Sequence, residues 1–176
     1  MNLIYQIIIR LYGVIINLAS PFSLKARQWL NGRKKLEDCL PDGTTENIIW
    51  FHCASLGEYM QANPLIETLK ERNIEHKILL TFFSPSGYLN AGKNEHVDYK
   101  AYIPLDTPAN AQRFIERTKP KIAIFIKSEL WPNFFKKLHH NSIPTFVVSA
   151  IYKPQHYIFK FYGKWQLSII KGVSHF

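Results

Sequence analysis

The chain has 176 residues, of which 47% are hydrophobic, and this length suits one α/β domain with a core plus an appendage. Its 22 Lys and Arg against 13 Asp and Glu leave a formal charge of +9, which favours an anionic partner without choosing among nucleic acid, phospholipid and phosphorylated substrates. Cys39 and Cys53 stand at no metal-ligand or redox spacing, which argues against a disulfide framework and predicts buried or half-buried thiols in a reducing compartment.

The first predicted element is an apolar helix over residues 3–19, close to the lower limit of about 17 residues for crossing a bilayer. Gln6, Arg10, Gly13 and Asn17 interrupt it on one narrow stripe at helical spacing. Because an arginine in mid-span costs about 2.5 kcal/mol or more, a helix lying in the interface with this stripe toward the headgroups competes with a true span. We therefore predict membrane attachment, with a signal peptide and a buried core helix as alternatives.

A basic flank follows the apolar run. It consists of Lys25, Arg27, Arg33, Lys34 and Lys35. The positive-inside tendency places such a flank, and hence the globular part, on the cytoplasmic side of the membrane. Pro41-Asp42-Gly43 is a clear linker. The sequence thus predicts a membrane-associated segment over residues 1–40 and a Rossmann-like domain over residues 44–176.

From residue 47 onward, β-branched or aromatic runs alternate with helical patterns, which predicts α/β structure with a doubly wound parallel sheet. The predicted strands cover residues 48–52, 77–81, 99–103, 121–126 and 145–148. The predicted helices lie near residues 58–72, 86–93, 108–118 and 131–141. Pro64 is expected one turn into the first of these helices, where a missing N–H costs little. An amphipathic stretch over residues 155–170 precedes the start of another strand at residues 173–176.

Ligands of open parallel sheets collect beyond the carboxyl ends of the strands, so the loops at that edge should carry the chemistry. Three of these loops are unusual in composition. They are residues 52–58 (HCASLGE), 82–87 (FFSPSG) and 128–133 (SELWPN). The third strand also ends in an unusual segment, residues 103–106 (IPLD).

In order and spacing, these segments are similar to the pattern of the 3-deoxy-D-manno-octulosonic acid (Kdo) transferases. That family has a small residue followed by S-x-G-E in the first loop, a segment like T-x-T-P-T-G in the second, L-P-x-D after the third strand and E-L-W-P-N after the fourth. Four such segments in register over residues 48–149, behind an apolar N-terminal helix, make the resemblance specific.

The resemblance implies the N-terminal, acceptor-binding part of a two-domain GT-B glycosyltransferase of lipopolysaccharide core synthesis. Its acceptor would be the lipid A precursor (lipid IVA), its donor CMP-Kdo, its chemistry inverting, and its place the cytoplasmic face of the inner membrane. No cofactor is implied. The donor-binding motifs of the second domain are absent from these residues, so we expect this part alone to be inactive. Lys127 and Ile151 depart from the family pattern, and no role is carried over to either position.

Glu58 is the candidate catalytic residue. Sugar transfer to an alcohol needs a general base near the incoming hydroxyl. Glu58 follows the first strand at a turn where Gly57 should let the backbone fold tightly, and the resemblance assigns its counterpart as the base. We expect Glu58 to remove the proton of the glucosamine 6′-hydroxyl. The alternative is an acid in the first turn of a helix that merely complements the helix dipole.

The candidate substrate-binding residues are Ser55, Gly57, Ser84, Ser86, Gly87 and Glu129. The serines and Gly87 would offer hydroxyls and backbone N–H groups to phosphate or sugar oxygens, although Ser-Pro-Ser-Gly is also an ordinary helix-initiating turn. Glu129 is either an acceptor-binding carboxylate or an N-cap-like acid that ends a buried strand.

Other functions have less support in the sequence. The adjacent His139 and His140 cannot share a helical face, and no acid or Cys stands at ligand spacing, so we predict no metal site. Trp131 and the other aromatic residues are assigned to the core and to a membrane-facing surface, since no nucleic-acid-binding signature accompanies them. A non-catalytic, membrane-anchored module that binds an anionic lipid or nucleotide is the alternative function.

Overall fold

The computed structural model describes residues 3–41, 47–72, 75–127, 129–151, 165, 167, 169 and 172–175. Its centre is a five-stranded parallel sheet in the order β3-β2-β1-β4-β5. The strands are β1 (Ile48–Cys53), β2 (Lys77–Phe82), β3 (Tyr99–Tyr102), β4 (Ile122–Ile126) and β5 (Thr145–Val148). The helices are α1 (Leu3–Ala19), α2 (Leu24–Lys34), α3 (Leu56–Glu71), α4 (Pro85–Asn90), α5 (Pro108–Thr118) and α6 (Pro132–His140), with a 3-10 turn at Glu37–Cys39.

The α/β class, the parallel sheet and all five predicted strands are confirmed, each strand to within one residue at either end. The expected strand near the end of the chain is present as a single parallel bridge between Phe146 and His175, beside β5. Most of the amphipathic stretch over residues 155–170 lies outside the described residues. Cys39 is half-buried and Cys53 is buried, as expected.

The sheet is covered on both faces. Successive side chains of a strand point to opposite sides, so each strand contributes to the packing layer on either face. Trp50 of β1 packs into one layer with Phe114 of α5 and Phe134 of α6. Its neighbour Phe51 belongs to the other layer, where Ile66 of α3 is fully buried. Strand β1 is buried at every position, which accounts for its nearly continuous apolar sequence, in which His52 is the exception.

Helix α3 differs from its prediction at the N-terminus. It begins at Leu56, so Pro64 lies in its third turn and not one turn from its start. Proline has no N–H, and the carbonyl of Met60 therefore lacks its helical partner. Both Met60 and Pro64 are exposed, so water can reach this carbonyl and the interruption costs less than it would in the core.

Helix α1 forms where it was predicted, and it packs on the body through one side. Gln6 and Gly13 of the predicted polar stripe contact the body of the protein, whereas Arg10 and Asn17 are exposed. The outward face carries large apolar side chains that are each at least half exposed: Leu3, Ile4, Ile7, Ile8, Leu11, Val14, Ile15 and Leu18. Part of the polar stripe is thus used for packing against the body, and the apolar face is the one that the body leaves uncovered.

Within the described ranges, no single helix is long and apolar enough to cross a membrane. Helices α1 and α2 satisfy the length and composition of a span only as a pair, and they are bent by 115° at the break between them. Membrane association of the N-terminal segment remains a prediction.

Helix α2 was not predicted, because its sequence was interpreted only as a basic flank. Ser23 starts it by accepting a hydrogen bond from the Ala26 N–H at 3.4 Å. Arg33 donates to the carbonyl oxygens of Phe83 and Ile103, at 3.0 Å in each case. These carbonyls follow β2 and β3, so α2 crosses the carboxyl edge of the sheet and Arg33 fixes it there.

Candidate active site

The sheet reverses its order of strand addition between β1 and β4. The chain runs outward from β1 through β2 and β3, then returns to the other side of β1 to add β4 and β5. Ligands bind at such a switch point because the loops on its two sides diverge and leave a crevice. The loop after β1 leads to Glu58, and the loop after β4 carries Lys127 and Glu129. The topology thus brings these three side chains to one crevice.

Glu58 is the third residue of α3, whose N-cap is Ser55. Its Oε2 accepts a hydrogen bond from the Ala54 N–H, and the residue is only 5% exposed. Burial raises the pKa of Glu58, against the lowering effects of the Ala54 N–H, Lys127 and the Ser55 N–H. The carboxylate thus covers N–H groups at the helix start, and its raised pKa also suits a group that must accept a proton.

Glu129 lies in the loop between β4 and α6, beyond the strand end at Ile126. The N-cap alternative for Glu129 is excluded, because Trp131 is the N-cap residue of α6. Partial desolvation, and then the Glu58 carboxylate, raise the pKa of Glu129 to about 7, whereas Lys127 lowers it. Glu129 is exposed, so solvent screens these interactions. They nevertheless show that the carboxylates of Glu58 and Glu129 and the ammonium group of Lys127 are neighbours in the crevice.

The serine-rich loop after β2 packs against the loop after β1. Ser84 Oγ accepts a hydrogen bond from the Gly87 N–H at 3.1 Å and lies 3.3 Å from Ser86 Oγ. A Cβ on Gly87 would lie 3.1 Å from the carbonyl carbon of Ser55, so glycine is needed for this contact. The Ser84 N–H also donates to the Ala54 carbonyl at 2.9 Å. The Gly87 N–H is therefore already bonded, whereas Ser86 is exposed and Ser55 and Ser84 are half-buried, so a ligand can reach these three serines.

Gly57 has a different role from the one expected. It lies inside α3, its φ is not in the left-handed region, and a Cβ there would meet nothing within 4 Å. Tight folding of the backbone therefore does not require glycine at this position. Gly57 is exposed, on the outer side of the first turn of α3.

Comparison with known proteins identifies the family. The sequence model of the family described as 3-Deoxy-D-manno-octulosonic-acid transferase (kdotransferase) matches residues 25–174 of this chain. The chain belongs to this family.

Curated relatives of this Kdo transferase chain agree with that assignment. A 3-deoxy-D-manno-octulosonic acid transferase of Aquifex aeolicus is 35% identical over 123 residues, which cover 69% of this chain and 31% of the relative. One of Haemophilus influenzae is 36% identical over 104 residues, or 58% of this chain and 24% of the relative. A bifunctional glycosyltransferase/methyltransferase of Fusobacterium nucleatum is 29% identical over 143 residues, or 78% of this chain and 22% of the relative. The chain thus spans less than a third of the length of these relatives.

Two of the Kdo transferase motifs form one structural unit that the sequence did not predict. Asp106, the acid of the segment after β3, is fully buried and accepts hydrogen bonds from the N–H groups of Asn133 at 3.1 Å and Phe134 at 3.0 Å. The Asn133 amide donates in return to the Asp106 carbonyl. Burial raises the pKa of Asp106 to about 6, opposed by hydrogen bonds from Tyr5, Asn133 and Phe134. Asp106 thus caps the helix that the E-L-W-P-N motif begins.

His52, at the end of β1, is structural. Its Nδ1 lies 2.9 Å from Thr81 Oγ1, which also accepts a hydrogen bond from Trp50 Nε1 at 2.8 Å. Burial, with a smaller contribution from Arg33, lowers the pKa of His52 to about 3. The ring is therefore neutral at any physiological pH, and His52 cannot alternate between its protonated and neutral forms as a general acid and base must.

Lys127 is the residue of this crevice to which no role was assigned from sequence. Lys127 lowers the pKa of both Glu58 and Glu129. If Glu58 is a catalytic base, Lys127→Met in the complete gene product should therefore move the acid limb of the pH profile of kcat/KM to higher pH. A base must be deprotonated, so the rate of the variant should fall below that of the wild type at acidic pH, and the two rates should converge at higher pH. Lys136→Met, on the exposed surface of α6, is the matched control. An acid limb that stays in place or moves to lower pH would contradict an electrostatic effect of Lys127 on the catalytic carboxylate.

Proposed function

We propose that this chain is the acceptor-binding part of an inverting glycosyltransferase that transfers Kdo from CMP-Kdo to the lipid A precursor. The observation that carries the proposal is the meeting of Glu58 and Glu129 at the switch point of the sheet, in a chain of the Kdo transferase family. The donor would be held by a C-terminal domain, in keeping with the longer relatives.

In the proposed reaction, the carboxylate of Glu58 removes the proton from the 6′-hydroxyl of the acceptor glucosamine. The hydroxyl oxygen attacks the anomeric carbon of Kdo, the bond from that carbon to the CMP phosphate oxygen breaks, and CMP leaves with the electron pair. The raised pKa of Glu58 favours proton uptake at neutral pH.

Acceptor binding is proposed for the polar groups around Glu58. Ser55, Ser84 and Ser86 offer hydroxyls from the two loops that pack together, Gly57 is exposed beside them, and Gly87 lets the loops pack. Glu129 comes from the loop after β4 and interacts electrostatically with Glu58. Glu129 is exposed and shares its surroundings with Lys127, so it can bind sugar hydroxyls while its negative charge is partly balanced.

We place the protein on the cytoplasmic face of the inner membrane. The outward face of α1 supports this placement, because it presents eight large apolar side chains that the body does not cover. Phe22 and Leu24, 92% and 68% exposed, continue that surface past the end of the helix. An apolar patch of this extent marks an interaction surface, and lipid is the partner that suits a lipid-modifying enzyme.

The membrane contact leads to a direct prediction. Changing Ile8 and Ile15 together to Glu should weaken binding to vesicles of anionic phospholipid by more than about tenfold, since burying one such side chain is worth about 1.5–3 kcal/mol. Both side chains are more than half exposed, so the fold should be unaffected. Vesicle sedimentation measures the binding, and Asn17→Glu adds charge to the same helix at an exposed polar position. Equal vesicle binding by the double variant and the Asn17→Glu control would exclude this face as the membrane contact.

A non-catalytic binding module is the second candidate function. One observation favours it: the Glu58 carboxylate already accepts a hydrogen bond from Ala54 and is almost fully buried. In such a module, Glu58 would serve only to cap α3.

The deciding experiment is a mass-spectrometric transfer assay on the gene product read to its natural stop codon, with CMP-Kdo and a tetra-acylated lipid A precursor. A Kdo mass increment on the lipid supports the transferase. A folded protein that binds the lipid but gives no increment supports the binding module.

A further inference from the structure

The carboxylate of Asp106 joins the N-terminal helix to the start of α6. The Tyr5 hydroxyl donates to Asp106 Oδ2 at 2.6 Å. The same oxygen accepts from the Asn133 N–H at 3.1 Å, and Oδ1 accepts from the Phe134 N–H at 3.0 Å. Asp106 is 0% exposed, so its carboxylate depends on hydrogen-bond partners inside the protein. A residue of α1 thus completes the shell of the group that caps α6.

The next residue of α1 reaches the other member of this pair. Gln6 Nε2 donates to Asn133 Oδ1 at 3.2 Å, while Asn133 in turn donates to the Asp106 carbonyl. Two consecutive side chains of α1 therefore end on Asp106 and Asn133. Further along α1, Gly13 approaches Leu105 so closely that a Cβ would lie 2.7 Å from its side chain, which brings α1 against the same segment.

The first turn of α6 in turn determines where Glu129 can lie. Only Leu130, Trp131 and Pro132 separate Glu129 from Asn133. Trp131 is 6% exposed, and its carbonyl oxygen accepts the Phe135 N–H at 2.8 Å, so this connection is packed and hydrogen-bonded. A shift of the start of α6 would therefore be passed on to Glu129, and with it to the spacing between Glu129 and Glu58.

We propose that Tyr5 is a positioning residue: through its hydrogen bond to Asp106, it fixes the start of α6 and holds Glu129 at the crevice. Docking of α1 on the body and the geometry of the candidate site are then linked, although no atom of α1 is needed in the reaction. The consequence for catalysis rests on the function proposed above, whereas the linkage itself does not.

The test compares Tyr5→Phe with Tyr12→Phe in the complete gene product. Both changes remove one hydroxyl from the inner side of α1 and keep the ring; Tyr12 makes ring contacts with Trp29 and Phe83. In Tyr5→Phe, the amide hydrogens of Asn133 and Phe134 should exchange about tenfold faster, the size of effect expected for a lost hydrogen bond to a charged group. The pKa of Glu129, followed by NMR of its carboxyl carbon, should fall from about 7 as the carboxylate moves away from Glu58. The kcat of transfer should fall about tenfold, with unchanged binding to vesicles.

Tyr12→Phe should leave all of these quantities as in the wild type. Unchanged exchange at Phe51 and Leu80, in the buried sheet, verifies that the fold is intact. Equal exchange rates at Asn133 and Phe134 in the two variants would overturn the linkage. Faster exchange with an unmoved pKa of Glu129 would overturn the positioning role. If the wild type transfers no sugar, the proposed function fails, and the exchange and NMR measurements still decide whether Tyr5 positions Glu129.

Discussion

Glu58→Gln in the complete gene product is expected to lower the rate of Kdo transfer by about 10²–10⁴-fold, the usual contribution of a general base. Gln has the shape of Glu, and its amide oxygen can still accept the hydrogen bond that the Ala54 N–H donates to Oε2. The helix start should therefore stay capped, and the free energy of unfolding should change by less than about 1 kcal/mol. The variant separates the two roles of this side chain, because it removes the basicity and keeps the hydrogen bond.

Rate and stability must be measured on the same preparation to make this separation. Glu71→Gln is the matched control, since Glu71 lies at the exposed end of the same helix. Single-turnover transfer measured by mass spectrometry gives the rate, and urea unfolding gives the stability. A Glu58→Gln protein that transfers Kdo at the wild-type rate would show that another group is the base, and that Glu58 only caps α3.

Asp106→Ala is expected to destabilise the fold by about 3 kcal/mol, because buried donors that lose their acceptor cost about 1–3 kcal/mol each. The N–H groups of Asn133 and Phe134 and the hydroxyl of Tyr5 all lose one. Removal of a buried carboxylate offsets part of this cost, since burial itself raises the pKa of Asp106 to about 6. The loss should appear as a lower midpoint of urea unfolding with little change in slope.

The ionisation of Asp106 gives this prediction a dependence on pH. Its pKa is about 6 in the folded protein against an ordinary value of 3.8, so the folded state binds the proton more tightly than the unfolded state. The stability that this group contributes therefore falls as the pH rises from about 4 to about 6, and Asp106→Ala should lack that component. Asp38→Ala, at an exposed site, is the control. An Asp106→Ala protein as stable as the Asp38→Ala protein would exclude the capping role.

The strands could be predicted because the physical cause of each one is local. Continuous apolar runs such as β1 bury both faces of a central parallel strand, and this pattern can be read without knowledge of the partners. The start of α5 could also be predicted from local sequence, since the Thr107 hydroxyl accepts a hydrogen bond from the Asn110 N–H at 3.2 Å just before Pro108. Helix α2 was missed because its mean hydropathy is low. It is held in place by Trp29, which packs on the rings of Tyr12 and Phe83, and by Arg33, whose carbonyl partners lie 50 and 70 residues away along the chain.

The residues of the candidate site were selected from the sequence, but their spatial relations could not be predicted from it. Glu58 and Glu129 were selected from two loops by resemblance, and their proximity depends on a strand order that periodicity alone does not fix. Lys127 stood outside the family pattern and so carried no signal, although it acts on both carboxylates. The link from Tyr5 to Asp106 spans 101 residues and involves a side chain that resembled any other aromatic of an apolar helix.

The orientation of α1 also bears on how this protein should be handled at the bench. Deleting an apolar N-terminal segment is a common way to obtain soluble material, and here it would remove the exposed apolar face of residues 3–18. The same deletion would remove the hydrogen bond from Tyr5 to Asp106 and the ring contacts of Tyr12 with Trp29 and Phe83. A truncated protein would lose the exposed apolar face of α1, but it would expose core residues and leave buried polar groups without their hydrogen-bond partners. Detergent or nanodiscs around the intact helix are therefore the better route to a well-behaved sample.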